Sequence, residues 1–253
     1  MTSRLLMPWR VRREGDSPAS RVSGGVATTA ILDWKDPAIL ALRNDARSLA
    51  AAPNDSRALL LMAHGLIVER VRPVYALDDA QPAARTLTLG RGSCSQRLGL
   101  LESVARSAGI STRVRGLLVN GRFWYSRFSW LRFAVPDEVL LAWPEFWLDD
   151  EWVDASALFG PPDAASSGAR FSNDDGETLF DAVARGAVDW DGGTSTPTSC
   201  SSCDLSGEVL ADLGRFNSRD ELFAQHGQTL CRTARTLGGP VMSRWSAGAG
   251  GKD

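Results

Sequence analysis

The apolar residues of this chain change period near residue 110, and that change limits what it can fold into. Ahead of it they recur every three or four positions, as on one face of a helix. Beyond it they recur every second position, as on one face of a strand. Ile39, Leu42 and Leu49 mark a first helix between about Asp36 and Ala51, ended by Pro53-Asn54-Asp55. Leu59, Leu60, Ala63, Leu66, Ile67 and Val71 mark a second, starting near Ser56 and closed by Pro73. Leu98, Leu101, Ala105 and Ala108 mark a third, beginning at Cys94 with Gly109 just past its end. The run RVRGLLVNGRFWY then predicts a β-hairpin turning at Asn120-Gly121. A second, VLLAWPEFWLDDEWVDAS, turns at Asp149-Asp150. Helices first and antiparallel strands after them indicate an α+β fold, not a parallel α/β sheet.

Three regions follow. Residues 1–28 are polar and rich in Gly and Ser, and read as a flexible N-terminal segment. Residues 29–190 hold the helices and hairpins, with a loop after Phe159 and a short helix within FDAVARGAVDWDG. Residues 191–253 hold the Ser/Thr-rich linker TSTPTSCSSCDLSG and a C-terminal helical extension from Ser218 to Leu237. There Ser218 or Asn217 is the N-cap and Glu221 sits at N3.

Composition excludes some functions. With 28 basic and 30 acidic residues in 253, the net charge is −2, so nucleic acid is not an expected partner. No apolar stretch approaches the roughly 20 residues of a membrane span, and no apolar segment follows Arg12-Arg13 to make a secretory signal. A cytoplasmic protein without a membrane partner is expected. The basic residues are nearly all Arg, with Lys only at Lys35 and Lys252, a bias typical of GC-rich bacterial genomes. Nothing in the sequence fixes the oligomeric state.

The stretch RGSCSQRLGL places Cys94 in the first turn of a helix, behind the N-cap candidate Ser93. Unpaired N–H groups and the positive end of the helix dipole favour thiolate there, and the same N–H groups can hold an oxyanion. Gly90 and Gly92 would let the backbone bend and a substrate approach. A buried cysteine acting as a small hydrophobe is the plainer alternative. The aromatic residues Phe123, Trp124, Tyr125, Phe128, Trp130 and Phe133 serve either as packing or as a wall for an acyl or aromatic substrate.

Gly-x-Cys opening a helix, Ala-Gly-Ile and Arg-Val after it, and AWPEFWLDDEWVDAS together resemble the transglutaminase-like superfamily over roughly Leu59 to Ser156. The resemblance implies a papain-like α+β core and a cysteine, histidine and aspartate triad. Cys94 matches the nucleophile and Asp154 the orienting acid, although Asp154 follows Trp152 more closely than the family pattern has it. A strand shortened by two residues would leave Asp154 on the same face. The histidine position is occupied by Leu141. Leucine can neither take the thiol proton nor return it to a leaving group. His64, His226 and Glu145 are the substitute bases to consider, with Asp137 and Glu138 just upstream.

Acceptance of an acyl group from a thioester needs a general acid least, because the leaving thiol is already a good one. The resemblance therefore implies cysteine-dependent acyl transfer on a small-molecule or carrier-bound acyl substrate in bacterial specialised metabolism. The alternative is a noncatalytic domain that binds or scaffolds. No cofactor is expected. Cys200-x2-Cys203 followed by His226-x4-Cys231 has the ligand types of a structural zinc site, and reads equally as redox thiols or linker residues.

Overall fold

The computed structural model describes residues 22–52, 54–127, 135–160, 171, 173, 176–192, 204–244 and 247. The three helices expected before residue 110 form where local chemistry starts them. Helix α1 (Pro37–Leu49) begins with proline at its first position and the Asp36 carboxylate accepting from Ala38 N–H. Helix α2 (Ser56–Arg70) is capped by Asp55, which accepts from Arg57 and Ala58. It leads into a short strand β1 (Arg72–Pro73). Helix α3 (Ala83–Leu89) was not foreseen: Leu87 and Leu89 alternate with threonines, and no side chain caps its start. Gly90 ends it in the left-handed conformation, φ 59°. Strand β2 (Arg91–Gly92) pairs in parallel with β1 and aims the chain into α4 (Cys94–Ser107). Gly92 is required by close packing, because a Cβ there would lie 2.6 Å from the Thr86 methyl.

The strands assemble one antiparallel sheet in the order β5-β4-β3-β6, with β3 at Thr112–Asn120, β4 at Glu138–Leu148, β5 at Glu151–Asp154 and β6 at Val209–Phe216. The β4–β5 hairpin turns at Asp149-Asp150 as expected, with φ of 51° and 62°. The Asn120-Gly121 hairpin does not form. The Asn120 side chain instead caps a 3-10 turn over Gly121–Trp124, and the partner of β3 is β4, with Leu117 opposite Leu141. Pro144 lies in an interior strand, not an edge. Its carbonyl accepts from Ala155, so the donor it lacks faces the side on which β5 has just ended.

The C-terminal region is helical as expected and also carries β6, which pairs with β3. Only Phe216 of β6 is buried, which is why apolar alternation does not reveal this strand. The single helix expected from Ser218 to Leu237 is two, α6 (Arg219–His226) and α7 (Arg232–Met242), divided at Gly227 with φ 72°. Ser218 caps α6 by accepting from Glu221 N–H, as its sequence implies. The short helix α5 (Leu179–Val183) begins one residue ahead of the predicted segment and overlaps its start.

Seven helices and an antiparallel sheet among the described residues make this the α+β fold expected. The larger apolar core joins α1, α2 and α4 to Leu117, Val119, Leu141 and Trp143 of the sheet. A smaller one joins Val114, Leu140 and Ala142 to Leu222 and Phe223 of α6.

Candidate functional site

Cys94 is the first residue of α4, and its helix start carries a capping box. The Ser93 hydroxyl accepts from Gln96 N–H, the Gln96 side chain accepts from Ser93 N–H, and Gln96 also donates to the Asp78 carbonyl at 2.7 Å. The thiol is half-buried and lines a cavity of about 260 Å³. Apolar side chains dominate the wall, among them Leu77, Phe123, Trp124, Val139, Leu140 and Leu141. Phe123 and Trp124 therefore reach the site, whereas Phe128, Trp130 and Phe133 lie outside the described residues.

The surroundings of the thiol work against its ionisation. Burial pushes the Cys94 pKa up to about 12, and the nearby charges of Arg97 and Arg219 and the Phe180 N–H pull it down by less. The helix start offers N–H groups, but the apolar cavity withholds the water that a thiolate needs.

Behind Cys94 lies a polar cluster that sequence reasoning missed. Arg97, one turn along α4, is 1% exposed. It donates to the Thr178 hydroxyl and to Asp181 at 3.1 Å, and its guanidinium sits 4.3 Å from the centre of the Phe180 ring. Burial works to raise the Asp181 pKa, but Arg97 and the Thr178 hydrogen bonds outweigh it and hold this carboxylate low. No motif announces the cluster, because Arg97 and Asp181 are 84 positions apart.

The other predicted residues do not converge on the thiol. Leu141 does line the cavity and is 5% exposed. Asp154 does not line it: the register sets Asp154 opposite Glu145, four residues along β4 from Leu141, or about 13 Å. Its carboxylate accepts from Ala157 N–H at 2.9 Å and closes the turn after β5. Burial raises its pKa against those bonds. The strand is not shortened to compensate. One further hydrogen bond, from Ala155 N–H to the Pro144 carbonyl, follows Asp154, and the chain then turns at Ser156, whose hydroxyl is buried with no partner among the described residues.

His64 is buried in α2, stacked on Phe180 at 4.2 Å and edge-on to Phe159. Burial, reinforced by Arg97, lowers its pKa to about 4 despite the Phe180 hydrogen bond. The neutral ring donates from Nε2 to the Phe180 carbonyl at 2.8 Å and does not line the cavity. Glu145 is held by Arg113 and Arg215 and is likewise off the wall. His226 ends α6 against the Phe216 ring, away from the cavity lining. Cys231 carries no disulfide, and Cys200 and Cys203 of the suggested zinc set lie outside the described residues.

Asp79 is the one acidic side chain on the described cavity wall, and the sequence did not single it out. Its signal is positional: it lies in the loop before α3, which Gln96 ties to the start of α4.

Residues 61–157 match the family model of the transglutaminase-like superfamily. The match runs from within α2 to the turn after β5 and contains Cys94, Leu141 and Asp154. No curated protein and no solved structure matches the chain. Among the described residues, no helix is long and apolar enough to cross a membrane.

Proposed function

With residues 61–157 forming a transglutaminase-like core, whose superfamily chemistry is cysteine-based acyl transfer and hydrolysis, we propose that this protein accepts an apolar acyl group from a thioester onto Cys94 and passes it to an amine. The observation that carries the reading is the opening of the Cys94 thiol, at a capped helix start, into an apolar cavity of about 260 Å³. At about 30 Å³ per water-sized group, that volume holds about eight methylene-sized groups. An acyl chain in the cavity would bring its carbonyl carbon to the thiol, and the first N–H groups of α4 would face its oxygen.

Leu141 gives the reading its direction. With leucine where the resemblance puts the histidine, amide hydrolysis lacks a proton donor for its poor leaving group, whereas a thioester releases a thiol that needs little help. A small biosynthetic intermediate, free or on a carrier, fits a cavity of this size. The noncatalytic reading, a domain that only binds an apolar ligand, draws on the high pKa of the thiol.

Intact-mass analysis separates the two. The protein is incubated with octanoyl N-acetylcysteamine, and an octanoyl adduct mapped to Cys94 and absent from Cys94→Ser is expected. Saturable binding of the thioester without any adduct establishes the noncatalytic reading instead.

A further inference from the structure

One side of the cavity beside Cys94 is built by chain beyond the family match. Thr229 and Leu230, just before α7, Met242 at its end and Ala247 after it all line the cavity. The helix between them is weak by sequence. Its second half reads Gly238-Gly239-Pro240, the two poorest helix formers, and the proline also removes a backbone donor. Eleven residues of that kind do not hold a helix unaided. Packing does not make up the difference: among the described side chains of α7 none is buried, and Leu237 is 75% exposed. A helix without buried contacts belongs to the part of a fold that opens first.

The ties of α7 to the rest of the molecule are polar and unequal. Before the helix, the Thr229 hydroxyl accepts from Leu140 N–H at 3.1 Å and Gln228 accepts from Asp79 N–H at 2.9 Å, which fixes the chain to β4 and to the loop ahead of α3. Along the helix, Gly238 passes close over Leu77, where a Cβ would lie 3.0 Å from Leu77 Cδ1. Arg235 meets Asp78 at 3.3 Å, and that carboxylate is 58% exposed, so the ion pair holds weakly. After the helix, Ala247 N–H reaches the Pro73 carbonyl at 2.9 Å and the Ala247 carbonyl accepts from Arg127 Nη1 at 2.6 Å.

Resting on the reading that an acyl chain occupies this cavity, we infer that α7 is a lid, hinged at Leu230-Cys231 and latched by Arg235 on Asp78, which swings away to admit the chain. The opposite wall cannot move in this way, because Val139, Leu140 and Leu141 belong to an interior strand of the sheet. Closure brings Leu230 and Met242 back against the ligand.

The test locks the lid. Leu77→Cys with Gly238→Cys places two thiols where the helix crosses the loop, and peptide mapping establishes the disulfide between them. Stopped-flow fluorescence then follows entry of the apolar probe N-phenyl-1-naphthylamine. Entry should slow by about tenfold or more in the oxidised variant and recover on reduction. In wild type, backbone hydrogen exchange should be faster in α7 than in α4 and should slow when the probe is bound, and Arg235→Ala should speed it by about threefold. Equal entry rates in the oxidised and reduced variant, or α7 exchange as slow as that of α4, overturns the lid and leaves the cavity reading standing. Absence of probe binding to the wild type overturns both. Should the disulfide not form, hydrogen exchange decides: slowing of α7 by the probe upholds the lid, and an unchanged rate removes it.

Discussion

Arg219 and Glu102 form an ion pair shut off from solvent, with side chains 1% and 0% exposed and 2.5 Å between them. It pins the C-terminal α6 to the helix that begins with Cys94, so the region beyond the family match braces the candidate site. Burial raises the Glu102 pKa against the pull of Arg219 and Arg106, and its second oxygen has no partner among the described residues. Such a pair costs much to break and little to replace whole. Arg219→Met is expected to destabilise the protein by about 3–5 kcal/mol in urea unfolding, and Arg219→Met with Glu102→Leu to recover most of it. A double variant as unstable as the sum of the single ones removes this account.

His64 makes stability depend on pH with a definite sign. Its pKa is depressed from 6.5 to about 4 in the folded protein. The contribution is therefore complete above pH 6.5 and is lost as pH falls from there towards 4, where only the unfolded chain takes the proton. The loss is about 3 kcal/mol at most. Asp79 works the other way, because its raised pKa makes its contribution fade as pH rises from about 4 to 6. Comparison of His64→Leu with wild type isolates the histidine. The variant should be less stable at pH 8, having left the Phe180 carbonyl unpartnered, yet its stability should fall less between pH 6.5 and 4. Parallel curves would show that His64 titrates alike in the folded and the unfolded chain.

The periodicity change near residue 110 made the α+β architecture legible, because helix and strand spacings differ and the Asp149-Asp150 turn has its own chemistry. The sheet order was not legible. Strand β6 is mostly half-exposed and so carries no alternation, and Asn120-Gly121 offered a hairpin signal that the long excursion to Glu138 overrode. Within the site, Cys94 and its cap could be read locally. The partners Arg97 and Asp181 could not, because folding, not spacing, brings them together. Asp154 shows the converse: a residue type in nearly the expected place, moved off the site by its register.

That register yields a prediction for the histidine position. Leu141→His puts a polar ring into an apolar wall with no carboxylate level with it, and should cost about 2–3 kcal/mol while leaving Cys94 unreactive. Ser156, two residues past Asp154 and just beyond the Ala155–Pro144 hydrogen bond, is the alternative place for an orienting acid. Leu141→His with Ser156→Asp should therefore raise the rate of Cys94 alkylation by iodoacetamide at pH 7 by about tenfold or more over either single variant. Equal rates in the double and the Leu141→His variants would place the orienting position elsewhere.

The resting thiol gives a prediction that needs no substrate. With its pKa near 12, Cys94 should alkylate much more slowly at pH 8 than the same cysteine in urea-unfolded protein, where thiols titrate near 8.5. Peptide mapping separates Cys94 from the other thiols. Asp181 adds to the rise through its negative charge. Asp181→Asn leaves Arg97 unopposed near the sulfur and should speed the folded-state reaction, more at low salt than at high. A folded protein that alkylates at Cys94 as fast as the unfolded chain would return the thiol to the ionised state first expected of its helix start.

Cavity size sets the last expectation. Each methylene moved from water into the apolar wall contributes about 0.8 kcal/mol, or about fourfold in binding. Acylation of Cys94 by N-acetylcysteamine thioesters at subsaturating concentration should rise by that factor per carbon from acetyl towards octanoyl. It should level or fall beyond about eight carbons, where about 260 Å³ is filled. Phe123, packed edge-on to Trp124 in the wall, bounds that space. Phe123→Ala should shift the optimum to longer chains, at a cost in stability of about 3 kcal/mol. A rate indifferent to chain length in both proteins would mean that the acyl group lies outside this cavity, and that its apolar wall serves packing alone.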